Sequence, residues 1–158
     1  MQMVTPCLWF DTQGEDAAKF YTTVFRNSRI LDVARYGAAG PRPEGSVMTV
    51  TFELDGQRFV ALNGGPEFTF NEAISFQVSC QTQEEVDYFW SRLSEGGQEG
   101  PCGWLKDRYG VSWQIVPIAL TELLSDPDPG RSQAVMKAML GMHKIDIDAL
   151  QRAGQQSS

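Results

Sequence analysis

The strongest constraint on the fold of this chain is that one of its segments occurs twice. Residues 12–24 read Thr-Gln-Gly-Glu-Asp-Ala-Ala-Lys-Phe-Tyr-Thr-Thr-Val, and residues 82–93 read Thr-Gln-Glu-Glu-Val-Asp-Tyr-Phe-Trp-Ser-Arg-Leu. Both open with Thr-x-x-Glu, so Thr12 with Glu15 and Thr82 with Glu85 are expected to form capping boxes at helix starts. Both then repeat apolar side chains at i, i+3, i+4 and i+7. These are Ala17, Phe20, Tyr21 and Val24 in the first copy, and Val86, Phe89, Trp90 and Leu93 in the second. That spacing paints one face of a helix. Gly96-Gly97 ends the second helix.

The surroundings of the two helices repeat as well. A strand-like run precedes each, at 6–10 and 73–80. Runs at 29–36, 46–54 and 57–63 follow the first, the last two joined by Asp55-Gly56, a strong two-residue hairpin signal. Runs at 98–100, 102–106 and 111–117 follow the second, the last two joined by a turn at 107–110. The order β-α-β-β-β therefore appears twice. The expected class is α+β: two βαβββ modules, 1–66 and 72–118, pairing into a curved eight-stranded mixed sheet with one helix over each half.

Pro127-Asp128-Pro129-Gly130 breaks the chain beyond the second module. After it, Val135, Ala138, Met139 and Met142 keep helical spacing, and Ile145, Ile147 and Leu150 continue the apolar trace. The C-terminal extension, 119–153, is thus an amphipathic arm that needs a surface to cover, its own sheet or a neighbour's. The whole chain reads as a single domain, with a polar, frayed tail at 155–158.

Composition removes several partners. The net charge is −7, which lacks the basic footprint that neutralises phosphates, so neither nucleic acid nor an anionic membrane surface is expected. No apolar run approaches the roughly 18 residues that span a membrane, and residues 1–6 do not read as a signal peptide. Cys7, Cys80 and Cys102 are odd in number and unpaired in spacing, as expected of reduced thiols in a cytoplasmic protein. Apolar residues make up 42% of the chain, and four Trp, nine Phe and four Tyr can close a core without disulfides.

Several segments carry a family resemblance: Thr5-Pro6-Cys7-Leu8-Trp9-Phe10, then 17–25 with Phe20-Tyr21 inside it, then Leu62-Asn63-Gly64-Gly65-Pro66. Ile74-Ser75-Phe76-Gln77-Val78, Cys102-Gly103-Trp104-Leu105-Lys106-Asp107, Gly110-Val111-Ser112-Trp113-Gln114-Ile115-Val116-Pro117 and Lys144-Ile145-Asp146-Ile147 continue it. Over nearly its whole length the chain resembles the vicinal oxygen chelate superfamily of glyoxalase I, fosfomycin- and bleomycin-resistance proteins and extradiol dioxygenases. Within it the chain resembles the PhnB-like branch, whose members often carry the label of 3-demethylubiquinone-9 3-methyltransferase. No Gly-x-Gly loop stands between a strand and a helix to hold a nucleoside cofactor, so the label is not adopted and no cofactor is expected.

The resemblance implies a divalent metal in the cup of the sheet, with His and Glu ligands from the first, fourth, fifth and eighth strands. Those positions fall near Pro6, at Ala61 or Asn63, at Ala73 and at Gln114. None is His, Asp or Glu, so no metal is expected and Lewis-acid catalysis loses its central group. The single histidine, His143, reads as an exposed helical residue far in sequence from the strands.

Strand parity supplies the cup's candidate lining instead. Phe52, Phe59, Ala61 and Asn63 share one face across the hairpin; Ser75 and Gln77 go with Ala73, and Ser112 goes with Gln114. Cys102 is the best-placed nucleophile but has no histidine to activate it. Trp104 and Trp113 lie on paired strands, and Lys106, Asp107 and Arg108 read as solvated turn residues. The expected ligand-binding residues are Phe52, Phe59, Asn63, Ser75, Gln77, Cys102, Trp104, Ser112 and Gln114, acting on an unidentified small molecule in a homodimer. The alternatives are a metal-dependent lyase, isomerase or dioxygenase-type enzyme, a cysteine-dependent enzyme, and a dimeric protein that sequesters its ligand.

Overall fold

Asp55 and Gly56 both take positive φ, 47° and 84°, the backbone of a type I′ turn, and the hairpin read from this dipeptide is present. A computed structural model describes residues 3–156, so Met1 and Gln2 and the predicted tail residues Ser157 and Ser158 lie outside it. The chain divides into two compact units, Met1–Phe70 and Asn71–Ser158. Gln155 and Gln156 lie in a helix, not in a frayed tail.

The first unit contains β1 (Cys7–Phe10), α1 (Gly14–Val24), β2 (Arg29–Arg35), β3 (Val47–Leu54) and β4 (Gln57–Asn63). Its sheet has the order β1-β4-β3-β2, with β1 parallel to β4 and the other pairs antiparallel. Alternation decides which face is covered. Leu8, Phe10, Val50, Phe52, Leu54, Phe59 and Ala61 are buried on one side, where α1 contributes Ala17, Ala18, Tyr21 and Val24. Tyr21 stacks on Phe52 at 6.2 Å between centroids, and Phe52 on Phe59 at 5.4 Å. Each such large apolar side chain contributes about 1.5–3 kcal/mol on burial. Phe20, expected in this face, is only half-buried, and the smaller Ala18 takes the place against the sheet.

Thr12 does not cap α1. The N-cap residue is Gln13, which makes no side-chain cap bond. The Gly14 N–H donates instead to Asn63 Oδ1, at 2.8 Å, from the end of β4. This approach requires a glycine: a Cβ on Gly14 would lie 2.7 Å from that oxygen and 3.2 Å from the Ala61 Cβ.

The second unit repeats the plan with β5 (Phe76–Cys80), α2 (Gln83–Ser94), β6 (Gln98–Glu99), β7 (Trp104–Lys106) and β8 (Ser112–Pro117). The order is β5-β8-β7-β6, again with the first and last strands parallel. All eight expected strands are therefore present, as two four-stranded sheets of matching topology. Here Thr82 does cap the helix, accepting from the Glu85 N–H at 3.1 Å, while Glu85 Oε2 reaches one residue past the cap to accept from the Gln81 N–H at 2.8 Å. Val86, Trp90 and Leu93 of α2 are buried, as are Cys80, Leu105, Trp113 and Ile115 of the sheet.

The extension forms α3 (Ile118–Leu124), α4 (Pro129–Leu140) and α5 (Ile147–Gln156). Leu120, Val135, Ile145 and Leu150 make its core, with Val116 of β8 packed against them. The arm covers its own unit. Gln83 donates from Nε2 to Ile145 O (2.9 Å) and accepts at Oε1 from the Ile147 N–H (2.8 Å). The Cys102 and Gly103 N–H groups donate to the carbonyls of Met142 and His143, each at 2.8 Å. His143 is exposed as expected but lies between α4 and α5, outside any helix, with Nδ1 3.0 Å from Gly100 O.

Candidate functional site

On the second sheet the pleat sends Phe76, Val78, Leu105, Trp113 and Ile115 towards α2, and the intervening residues to the other face. One row on that other face runs Gln77, Gln114, Trp104 across β5, β8 and β7, and the next pairs Ser112 with Lys106. Trp104 and Trp113 thus occupy opposite faces. Trp104 stands in the row of glutamines, whereas Trp113 is buried and donates from Nε1 to Asp107 Oδ2 at 2.8 Å.

The face away from α2 carries a cavity of about 390 Å³ inside the second unit. Its wall includes Glu72, Gln98, Cys102, Trp104, Lys106 and Ser112. Two features give it chemical character. Lys106 Nζ pairs with the Glu72 carboxylate, in a contact more exposed on the glutamate side. Ser112 is 1% exposed, and among the described residues its Oγ has no hydrogen-bond partner. Buried hydroxyls are nearly always paired, so Ser112 Oγ stands out beside this cavity as a polar atom with a hydrogen bond still to make.

Three of the nine expected site residues, Cys102, Trp104 and Ser112, line this cavity. Three more lie alongside as a bonded set: Gln114 Nε2 donates to Ser75 Oγ at 2.8 Å, and Gln77 Nε2 donates to Gln114 Oε1 at a long 3.4 Å. The other three are a correction. Phe52, Phe59 and Asn63 do share a face, but it is the face closed by α1, where they are 0%, 6% and 6% exposed. They build the core of the first unit and offer nothing to a ligand.

Lys106 and Asp107 are further corrections, since neither is a solvated turn residue. Lys106 ends β7 on the cavity side, and Asp107 is 3% exposed. Trp104 and Lys106 stand two residues apart on one strand, so the register that puts Trp104 on this face puts Lys106 there as well. Glu72 lies before β5, and no pattern in the sequence marks it.

The residues at the four metal positions do not fit a metal. Pro6 offers only its carbonyl, which accepts from the Val60 N–H at 2.9 Å. Ala61 is a buried methyl group beneath α1, and Ala73 carries no donor atom. Gln114 has both ends of its amide engaged by Ser75 and Gln77. Among the described residues no group of three or more His, Cys, Asp or Glu side chains is placed to hold an ion.

The cysteines are not arranged as activated nucleophiles either. Cys80 is fully buried; burial, then the nearby Glu85 charge, pushes its thiol from 9.0 up to about 12. Burial also raises the Cys7 thiol. Cys102 sits in the left-handed region at φ 59°, tied to the arm through its backbone. No helix among the described residues is long and apolar enough to cross a membrane.

The comparisons with known proteins agree with this geometry. A family model described as 3-demethylubiquinone-9 3-methyltransferase matches residues 2–116. The structure of a PhnB protein from Bacillus cereus is 38% identical; the match covers 73% of this chain and 99% of that one, with a TM-score of 0.66. Protein PA1353 from Pseudomonas aeruginosa is 17% identical over 74% of this chain and 98% of its own, with a TM-score of 0.61. The fosfomycin resistance protein FosX from Listeria monocytogenes, in a complex with Mn(II) and sulfate, is 14% identical over 78% and 94%, with a TM-score of 0.55. The last two likenesses are of fold alone. None of the curated proteins matches the chain.

Proposed function

The chain belongs to the PhnB-like family described as 3-demethylubiquinone-9 3-methyltransferase, within the fold of the vicinal oxygen chelate superfamily, and from that premise we propose that it binds a small organic molecule on its second sheet without a divalent metal. The observation that carries the reading is the cavity walled by Trp104, Lys106 and Ser112, with a buried and unpaired Ser112 hydroxyl. A volume near 390 Å³ suits a small ligand held by one aromatic wall and a few polar groups.

Methyl transfer as the family's description states it finds little support in the turns before the helices. A nucleoside-bearing methyl donor is commonly held by a glycine-rich turn running from a strand into a helix whose N–H groups are free. Here the Gly14 N–H is taken by Asn63, and the Glu85 N–H by the Thr82 hydroxyl. A metal-dependent lyase or dioxygenase reaction lacks the donor set at Pro6, Ala61, Ala73 and Gln114. The homodimer belongs to the same proposal. The arm packs Leu120, Val135, Ile145 and Leu150 into its own unit but leaves Ile118, Met136 and Leu140 exposed, and a single-chain mass at micromolar concentration overturns the dimer.

A screen of small organic fragments by amide chemical shifts tests the binding site. Hits are expected to move the resonances of Trp104, Lys106 and Ser112. Trp104→Ala is expected to weaken them about tenfold or more, because a buried aromatic side chain is worth about 1.5–3 kcal/mol. Hits that map elsewhere, or that bind the variant equally well, overturn the assignment.

A further inference from the structure

Resting on that reading, we infer that the ligand of this cavity carries an oxyanion, a carboxylate or phosphate group, seated between the Lys106 ammonium and the Ser112 hydroxyl and displacing Glu72. Lys106 and Ser112 are register partners on neighbouring antiparallel strands, so their side chains leave the sheet side by side on the same face. The two groups constrain the ligand differently. An ammonium can only donate, whereas a hydroxyl donates or accepts. One ligand atom group that satisfies both must therefore accept from Lys106.

Charge decides between a neutral acceptor and an anion. Lys106 is paired with Glu72, and a ligand entering this seat takes that carboxylate's place. A neutral acceptor would leave the ammonium, about one-third exposed, without a counter-ion. An oxyanion restores the charge pair and adds the Ser112 hydrogen bond. The exchange costs little on the protein side, because the Glu72 side chain is 63% exposed and pairs of that kind contribute little to stability. The other carboxylate on the wall, Glu99, is engaged by the Trp90 indole N–H. Trp104, two residues from Lys106 on β7, offers the apolar wall for the rest of the molecule.

Benzoate, phenyl phosphate and the neutral benzamide, titrated separately and followed by calorimetry and amide shifts, test the inference. At least one of the two anions is expected to bind with shifts at Lys106 and Ser112, and benzamide about tenfold more weakly, in line with hydrogen bonds to a charged group. Tighter benzoate supports a carboxylate, and tighter phenyl phosphate a phosphate. Lys106→Met is expected to cost the anion about tenfold and to leave benzamide unchanged, while Glu72→Gln improves the anion about twofold to threefold. Benzamide binding as tightly as the anions, or an anion indifferent to Lys106→Met, overturns the oxyanion seat and leaves the cavity reading standing. No shift at Trp104, Lys106 or Ser112 with any of the three overturns both.

Discussion

Asp107→Ala is expected to unfold in urea with a stability about 4 kcal/mol below that of the parent chain, the cost of stranding buried donors at roughly 1–3 kcal/mol each. Asp107 is 3% exposed, and its carboxylate accepts from at least three donors. Oδ1 takes the N–H groups of Tyr109 at 2.8 Å and Val111 at 3.0 Å, and Oδ2 takes the Trp113 indole at 2.8 Å. Val111 and Trp113 are both 3% exposed, so water does not replace the lost oxygens, while the half-buried Tyr109 amide recovers part of its loss. Asp107→Asn separates geometry from size. It keeps an acceptor for the turn but sets an NH₂ group against one of the donors, and is expected to cost about 2–3 kcal/mol. A change below about 1 kcal/mol for Asp107→Ala contradicts the role given to this carboxylate. The same turn joins β7 to β8 and holds Lys106 opposite Ser112, so the variant is expected to weaken ligand binding as well.

Asn63→Ala is expected to cost about 3 kcal/mol, combining a lost helix cap of about 1 kcal/mol with the price of buried unpaired backbone groups. Its Oδ1 accepts from the Gly14 N–H at 2.8 Å, and its Nδ2 donates to Val47 O at 3.2 Å. Its backbone carbonyl accepts from the Tyr36 hydroxyl at 2.6 Å, a bond that survives truncation of the side chain. Asn63→Asp keeps the cap acceptor but faces the Val47 carbonyl with a second acceptor, and should lose nearly as much. Equilibrium unfolding followed by circular dichroism measures both, and a loss below about 1 kcal/mol for Asn63→Ala contradicts the cap.

These two residues show what could be read from the chain before its structure. Helix period, the Asp55-Gly56 turn and strand alternation are local signals, and they located all eight strands and both module helices. The caps differ because one of them is not local. Thr82 and Glu85 bond within four residues of one another, whereas α1 is capped from β4, 49 residues away in sequence. Parity grouped Phe52, Phe59 and Asn63 correctly, yet parity does not say which face a helix covers. That choice depends on Gly14, Ala17 and Ala18 admitting α1 closely onto that side. On the second sheet the same rule grouped Ser75 with Gln77 and Ser112 with Gln114, whereas the face of Trp104 follows only from its register opposite Gln114. Lys106 was missed because Lys-Asp-Arg reads as a solvated turn, although Lys106 ends a strand and Asp107 is buried beneath it. The arm's docking on Gln83 and on the 100–103 loop rests on contacts some 40 to 60 residues apart, which no periodicity encodes.

Native mass spectrometry of the protein purified without chelator tests the central claim most directly, that the second sheet holds a small molecule without a divalent ion. The account predicts a chain free of stoichiometric Zn, Ni, Mn or Fe, and a benzoate or phenyl phosphate adduct that Trp104→Ala and Lys106→Met each weaken. One tightly held divalent ion per chain, retained in buffer and lost on Gln114→Ala, contradicts it.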